Sequence, residues 1–310
     1  MSIDLICQEP AALDLLKQFH VCNACYKVVD HQPIGAHVLV PRDLPSGRRP
    51  LLVRIHGGGF AEGTSDSWLR PWILELALKH NAILVTPDYR LRPEAQLADE
   101  IEDMRDFWKW IRAGLSEIPG IKVDTANLAI VGESAGGTMT AQSVLLDMIH
   151  PVRVIIMQYP GLNIGGHLKW LESLPEKISV SVLEDHLASS IPGHIVTRVA
   201  NGSRSLLVGS MMQNGRFVDV ENDAYLDPMK SLETAGPLPP VLLFHGGQDK
   251  SVRASDSAAW AEKLRRLQPD VPLHLVFPDG DHCFDQSDVL ATPWLKEPIA
   301  FVEQYWPAQQ

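Results

Sequence analysis

The sequence predicts an α/β fold: a mostly parallel central sheet flanked by helices, with a helical cap inserted late in the chain. Strand-like and helix-like segments alternate from about residue 51 to 158, and again from 241 to 305, which is the pattern of a parallel sheet with helices on both faces. Between about 165 and 225 the rhythm breaks into glycine- and proline-rich stretches without a clear strand. The 310 residues suit one α/β domain carrying that insertion better than two separable domains.

Each element follows from its pattern. Residues 1–20 place Leu5, Ile6, Ala11, Leu13, Leu15, Leu16 and Phe19 at spacings that suit an amphipathic helix. Short strand-like runs follow at 26–30 and 36–40, then the turn-rich PRDLPSGRRP. Residues 51–56 are short, apolar and stopped by glycines, as a buried strand should be. A helix is expected over 68–80 and a strand over 82–86, ended by Pro87. Residues 99–113 set Ile101, Met104, Phe107, Trp108 and Ile111 along one helical stripe. Strand 127–131, helix 135–148 and strand 152–158 complete the first series. Strand 241–245, helix 253–267, strand 273–277 and a closing helix over 293–305 form the second. The cap is expected from about 1–25 together with about 165–225.

Charge excludes some partners. The net charge is −11, so nucleic acid and anionic membrane surfaces, which need clustered positive charge, are unsuitable. No run approaches the ~18 apolar residues of a spanning helix. The start, MSIDLICQEP, has no basic region, so a cytoplasmic chain without a secretory signal is expected. The four cysteines are too sparse for a disulfide scaffold. Cys22 and Cys25 form a C-x-x-C, but no second pair completes a metal site, and two ordinary thiols are expected. Asn201-Gly202-Ser203 is a glycosylation sequon, expected here to be a turn.

Chemistry concentrates at Gly132-Glu133-Ser134-Ala135-Gly136-Gly137, between a strand and a helix. A serine on such a turn projects its hydroxyl above the sheet edge, with glycines permitting the strained backbone. The following helix sets partial positive charge near a developing oxyanion. Seventy-eight residues earlier, His56-Gly57-Gly58-Gly59-Phe60 ends another strand. Its glycines leave N–H groups unshielded, suited to an oxyanion, and Phe60 is placed to face substrate.

A nucleophilic serine needs a base, and the base needs an orienter. His282, in the loop after the last expected strand, is the candidate base. Asp249, in the loop after the preceding strand, is the candidate orienter, and the order Ser134, Asp249, His282 fits this fold class. Asp279 and Asp281 are expected to cap the turn, His245 to be structural, and His56 to pin the glycine loop. His167, His186 and His194 fall in the cap, where they are expected to be solvated or packed, with one of them lining the pocket as the alternative.

These motifs resemble the hormone-sensitive-lipase-type, carboxylesterase-like family of α/β-hydrolases. HGGGF at 56–60, DYRLRPE at 88–94, GESAGG at 132–137, HGGQD at 245–249 and DGDHCF at 279–284 match its ordered motifs over roughly 50–290. The resemblance implies an α/β-hydrolase fold, Ser134 as nucleophile, His282 as base and Asp249 as orienter. It also implies an oxyanion hole from the amides of Gly57, Gly58 and Ala135, and no cofactor. Two positions depart from the usual pattern: Glu133 stands where Asp is common, and Cys283 where Gly is usual. Asp88 and Arg90 are expected to anchor the loop beside the glycine turn.

The expected reaction is hydrolysis of small to medium carboxylic esters through an acyl-enzyme. A thioesterase, lactonase or acyl-transfer enzyme releasing a secondary-metabolite product is the alternative, and a non-catalytic binding protein is a remoter one. Trp170, Leu171, Leu183, Leu187, Ile191, Met211, Met212 and Phe217 are candidates to pack the cap or line the pocket. The resemblance permits a homodimer.

Overall fold

The computed structural model describes residues 8–217 and 224–308. Its elements run α1 (Pro10–Leu16), β1 (Phe19–Val29), β2 (Gln32–Pro41), β3 (Arg49–Ile55), α2 (Pro71–Lys79), β4 (Ile83–Pro87), α3 (Leu97–Ala113), β5 (Val123–Glu133), α4 (Ala135–Leu145) and β6 (Val154–Gln158). Then come α5 (Ile164–Glu172), α6 (Ser181–Ser189), α7 (Ser205–Gln213), α8 (Pro228–Ser231), β7 (Val241–Phe244), α9 (Ala254–Leu267), β8 (Leu273–Val276) and α10 (Lys296–Tyr305).

The described strands form one sheet in the order β1-β2-β4-β3-β5-β6-β7-β8. The β1–β2 and β2–β4 pairs are antiparallel, and every other pair is parallel. The central strands are buried on both faces, so they read as continuous apolar runs such as LLVRI and VIIMQ. On one face α3, α4, α8 and α9 pack, with Phe107, Trp108, Met139 and Trp260 in the core. On the other face Trp72, Leu76, Ile299 and Trp306 of α2 and the α10 region cover Leu52, Leu84, Val131 and Ile156. Parallel connection puts the carboxyl ends of β3, β5, β7 and β8 on one edge, where the loops that bear the chemical motifs meet.

The N-terminal segment departs from expectation. Residues 19–25 are not cap but the first part of edge strand β1, paired from Phe19↔Pro41 to Cys25↔Gly35. Among the described residues the expected helix is present as α1, whose Ala12 and Leu16 pack with α2 on the sheet face away from α3 and α4. Leu5, Ile6 and Cys7 lie outside the described residues. Cys22 is half-buried and Cys25 exposed on β1, both free, with Cys25 Sγ donating to Lys27 O at 3.1 Å. Helices α5, α6 and α7 occupy the rhythm-breaking segment, and their Leu168, Leu183, Leu207 and Met211 join the core on the α3 and α4 side. Among the described residues no helix is long and apolar enough to cross a membrane.

Candidate active site

Ser134 stands between the last residue of β5 and the first of α4, at φ 53° and ψ −119°. A non-glycine residue held in such a region is strained, and its neighbours must over-determine it. They do. A side chain at Gly136 would overlap the carbonyls of Ile55 and His56, and one at Gly132 would overlap the carbonyl of Gly136. The Ser134 amide donates to Gln158 O at 2.9 Å, tying the turn to the end of β6. Glu133, just before the serine, is buried and paired with the Arg54 guanidinium of β3. The longer acid at this position therefore joins the strand that carries the serine to the strand that carries the glycine loop.

His282 lies past β8, with Nε2 3.0 Å from Ser134 Oγ and Nδ1 2.7 Å from Asp249 Oδ2. A carboxylate only accepts, so Nδ1 carries the proton and Nε2 is left to accept from the serine hydroxyl. Asp249, after β7, has a fully buried side chain. Its Oδ1 accepts from the Ser251 and Val252 amides, each at 2.8 Å. Burial alone would raise its pKa; hydrogen bonds from His245, His282 and the Val252 amide outweigh that and hold it well below the carboxylate range. Buried His245 is the residue whose part here the sequence did not reveal. Its Nε2 lies 3.1 Å from Asp249 Oδ2 and 3.0 Å from Val252 O, both acceptors, so Nε2 is protonated. Its Nδ1 then accepts from Ser257 Oγ at 2.8 Å.

A second support was also invisible in the sequence. The Tyr159 ring meets His282 edge-on at 4.8 Å between centroids. Its hydroxyl donates to Asp285 Oδ1 at 2.7 Å and accepts from Arg70 Nη2 at 2.8 Å. Trp72 Nε1 donates to the other Asp285 oxygen at 3.0 Å. The rival acids near His282 serve turns: Asp281 Oδ1 accepts from the Lys250 and His282 amides, and Asp279 from Gln248 Nε2. His186 pairs with Glu94 at 2.9 Å.

Gly57 and Gly58 follow β3, and their amides donate to no described residue; the same holds for Ala135 at the start of α4. All three line one cavity with Ser134 and His282. Gly58 has φ +116°, and a Cβ there would run into the Glu62 carbonyl. Its own carbonyl accepts from Ala61 N at 3.1 Å and Glu62 N at 3.0 Å, which closes the turn. His56 is buried, stacked on Tyr89 at 4.2 Å, with Nδ1 2.7 Å from Gly57 O. Burial, with Arg54 nearby, pushes its pKa down to about 3, so it stays neutral. Asp88 Oδ1 accepts from the Ser65 amide at 2.7 Å, and Arg90 pairs with Asp103 at 2.8 Å.

The cavity has a volume of about 610 Å3. Phe60 lines it from the glycine side, 5.8 Å from Phe217. Of the expected cap residues, Leu171, Met212 and Phe217 line it. Leu183 and Met211 are buried in packing, Leu187 and Ile191 are exposed, and Trp170 sits under Arg253 at 5.7 Å. His167 and Cys283 line it too. Burial pushes the Cys283 thiol up to about 11, so it is not a thiolate. Asn201, the sequon residue, is turned inward: it lines the cavity and accepts from Ser67 Oγ at 3.1 Å. The segment from Arg198 to Arg204 is fastened to the glycine side. Glu62 accepts from the Gly202 and Arg204 amides at 2.9 and 2.7 Å, Arg204 pairs with Glu94 at 2.8 Å, and Arg198 pairs with Asp88 at 2.8 Å.

A family model described as an alpha/beta hydrolase fold matches residues 52–286. A probable carboxylesterase of Phoma sp. is 29% identical over 303 residues, covering 91% of this chain and 94% of its own length. A non-reducing polyketide synthase of Acremonium egyptiacum is 27% identical over 282 residues, 86% of this chain but 13% of its own. A thermostable esterase from Pseudomonas putida superposes with a TM-score of 0.64 at 22% identity, covering 95% of this chain and 85% of that one, a likeness of fold. With its elbow, its glycine loop and its eight-stranded sheet, the chain belongs to the α/β-hydrolase fold family, in the hormone-sensitive-lipase-like, carboxylesterase-type group.

Proposed function

We propose that this carboxylic ester hydrolase is a serine esterase acting on small to medium esters through an acyl-enzyme. The observation that carries the proposal is the continuous relay from Ser134 Oγ to His282 (3.0 Å) to Asp249 (2.7 Å) beneath three undonated amides. Ser134 Oγ attacks the ester carbonyl while His282 Nε2 takes its proton. Asp249 keeps the proton on Nδ1 and stabilises the imidazolium. The amides of Gly57, Gly58 and Ala135 receive the oxyanion, where one lost donor commonly costs ~10²–10³ in rate. His282 then protonates the leaving alcohol, and a water that it activates releases the acid. Helices α5–α7 act as the cap over this site, and the cavity of about 610 Å3 limits what fits.

Thioester cleavage or acyl transfer is the second reading. It is favoured by the similarity to a segment of a polyketide synthase. Hydrolysis of p-nitrophenyl esters from acetate to palmitate, beside acyl thioesters of matched length, tests both. Wild type should turn over short and medium esters, and Ser134→Ala should lose on the order of 10⁶ in kcat. A wild type that cleaves only thioesters transfers the proposal to the second reading. Equal activity of Ser134→Ala and wild type removes the nucleophile assignment.

A further inference from the structure

Helix α5 turns one face to the cavity. Ile164, His167, Leu168 and Leu171 line it at positions i, i+3, i+4 and i+7. Three of the four are aliphatic, so the imidazole is the polar exception on an otherwise apolar wall. It has no hydrogen-bond partner among the described residues: His167 Nδ1 is enclosed and unpaired, and Nε2 is not enclosed and bonds no described residue. The contrast with His245 is direct, since both of that ring's nitrogens are engaged.

The surroundings do not offer a structural role. The titratable groups nearest in effect to the ring are Asp256, Arg253, Asp249 and His282. Asp256 is already held by Arg253 at 2.9 Å and by Asn163 Nδ2 at 3.1 Å. Asp249 is held by His245 and His282. The Trp170 ring lies 5.4 Å away, in a tilted ring contact. Burial lowers the His167 pKa to about 4, so at neutral pH the ring is uncharged. A neutral imidazole offers one donor and one acceptor, the complement of a hydroxyl or a keto oxygen and a poor partner for a plain alkyl chain. Nδ1 is enclosed, so a substrate meets the ring at Nε2, and a substrate without an oxygen there strips Nε2 of water and leaves it unpaired, which is costly.

We propose that His167 is a specificity-determining residue that hydrogen-bonds an oxygen of the substrate, so that the preferred ester carries a hydroxyl or keto group on the portion lodged beneath α5. The inference rests on the ester-hydrolase reading above and narrows its substrate class to oxygenated esters. It differs from that reading in making the cap a polar reader and not only an apolar wall.

The test compares size-matched ester pairs with and without the oxygen. On the acyl side these are p-nitrophenyl butyrate and 3-hydroxybutyrate, and p-nitrophenyl hexanoate with its 5-hydroxy and 5-oxo forms. On the alcohol side they are butyl and 4-hydroxybutyl acetate. The readout is the ratio of kcat/KM for the oxygenated over the plain member, in wild type, His167→Leu and His167→Gln. The expected result is a wild-type ratio of at least tenfold for one pair. His167→Leu should reduce that ratio by about 10- to 100-fold, and His167→Gln, which keeps a donor and an acceptor, should restore part of it. An unchanged ratio in His167→Leu overturns the inference, because loss of packing alone lowers both members together. A wild type that hydrolyses esters with no preference in any pair overturns it as well. A wild type inert on every ester and unlabelled by a fluorophosphonate instead overturns the parent reading, and this one with it.

Discussion

At the scale of the residue, the site depends on which atoms carry protons. Asp249 Oδ2 faces two imidazole N–H groups, His282 Nδ1 and His245 Nε2, and Oδ1 is held by two backbone amides. Asp249→Asn keeps the Oδ1 contacts but turns an amide nitrogen toward His282, which forces the ring into the tautomer that cannot accept from Ser134. Its kcat on p-nitrophenyl acetate should fall by about 10⁴ while far-ultraviolet circular dichroism is unchanged. Retention of activity within tenfold would remove Asp249 from the relay. That Ser134, Asp249 and His282 come together was legible in the sequence because each follows a strand at one sheet edge and their order is fixed by the fold. His245 was not, because a histidine before Gly-Gly is the same letter whether its ring turns inward or outward. Tyr159 gave no signal either, since its contact with His282 joins positions 123 residues apart that share no motif.

At the scale of the element, the elbow is the part with least room. Gly136→Ala would drive a methyl group into the carbonyls of Ile55 and His56, joining strain in β3 to strain in α4. Its destabilisation should reach about 1–3 kcal/mol or more by urea unfolding, with esterase activity largely lost. Gly236→Ala, where a Cβ meets nothing within 4 Å, is the control and should stay within about 0.5 kcal/mol. Equal unfolding midpoints for the two variants would show that the elbow relaxes freely. Buried elements such as β3, β5 and β6 were readable because both faces are apolar. The first part of strand β1, residues 19–25, was read as part of a cap for the opposite reason. It is an edge strand with mixed exposure along FHVCNACYKVV, so neither a period of two nor of 3.6 stands out. Only its hairpin pairing with β2, which the pattern of one segment alone does not show, settles its state.

At the scale of the whole molecule, the α/β rhythm and the inserted helices were legible, whereas the polar interior was not, and that interior sets the response to acid. His167 is pushed down to about 4 and His56 to about 3 by burial, and His37 is lowered too. Each is neutral when folded yet takes up a proton near pH 6.5 when unfolded. The unfolded chain therefore binds more protons below pH 6.5, so the stability these rings permit is complete above that value and is lost as pH falls. Buried Asp88, Glu100 and Asp227 act in the opposite sense, because burial raises their pKa values and the folded state holds their protons longer. The sum is mixed, so the sign is best read as a difference between variants. Wild type should lose stability relative to His167→Leu between pH 6.5 and about pH 4, at a slope of up to about 1.4 kcal/mol per pH unit, and the difference should be flat above pH 7. Urea unfolding of both proteins at pH 7.5, 6, 5 and 4.5 measures it. A difference that stays constant with pH would mean that the ring is as easily protonated in the folded cap as in water. Below about pH 6.5 it would then meet the substrate as a cation and not as the neutral partner of an oxygenated ester.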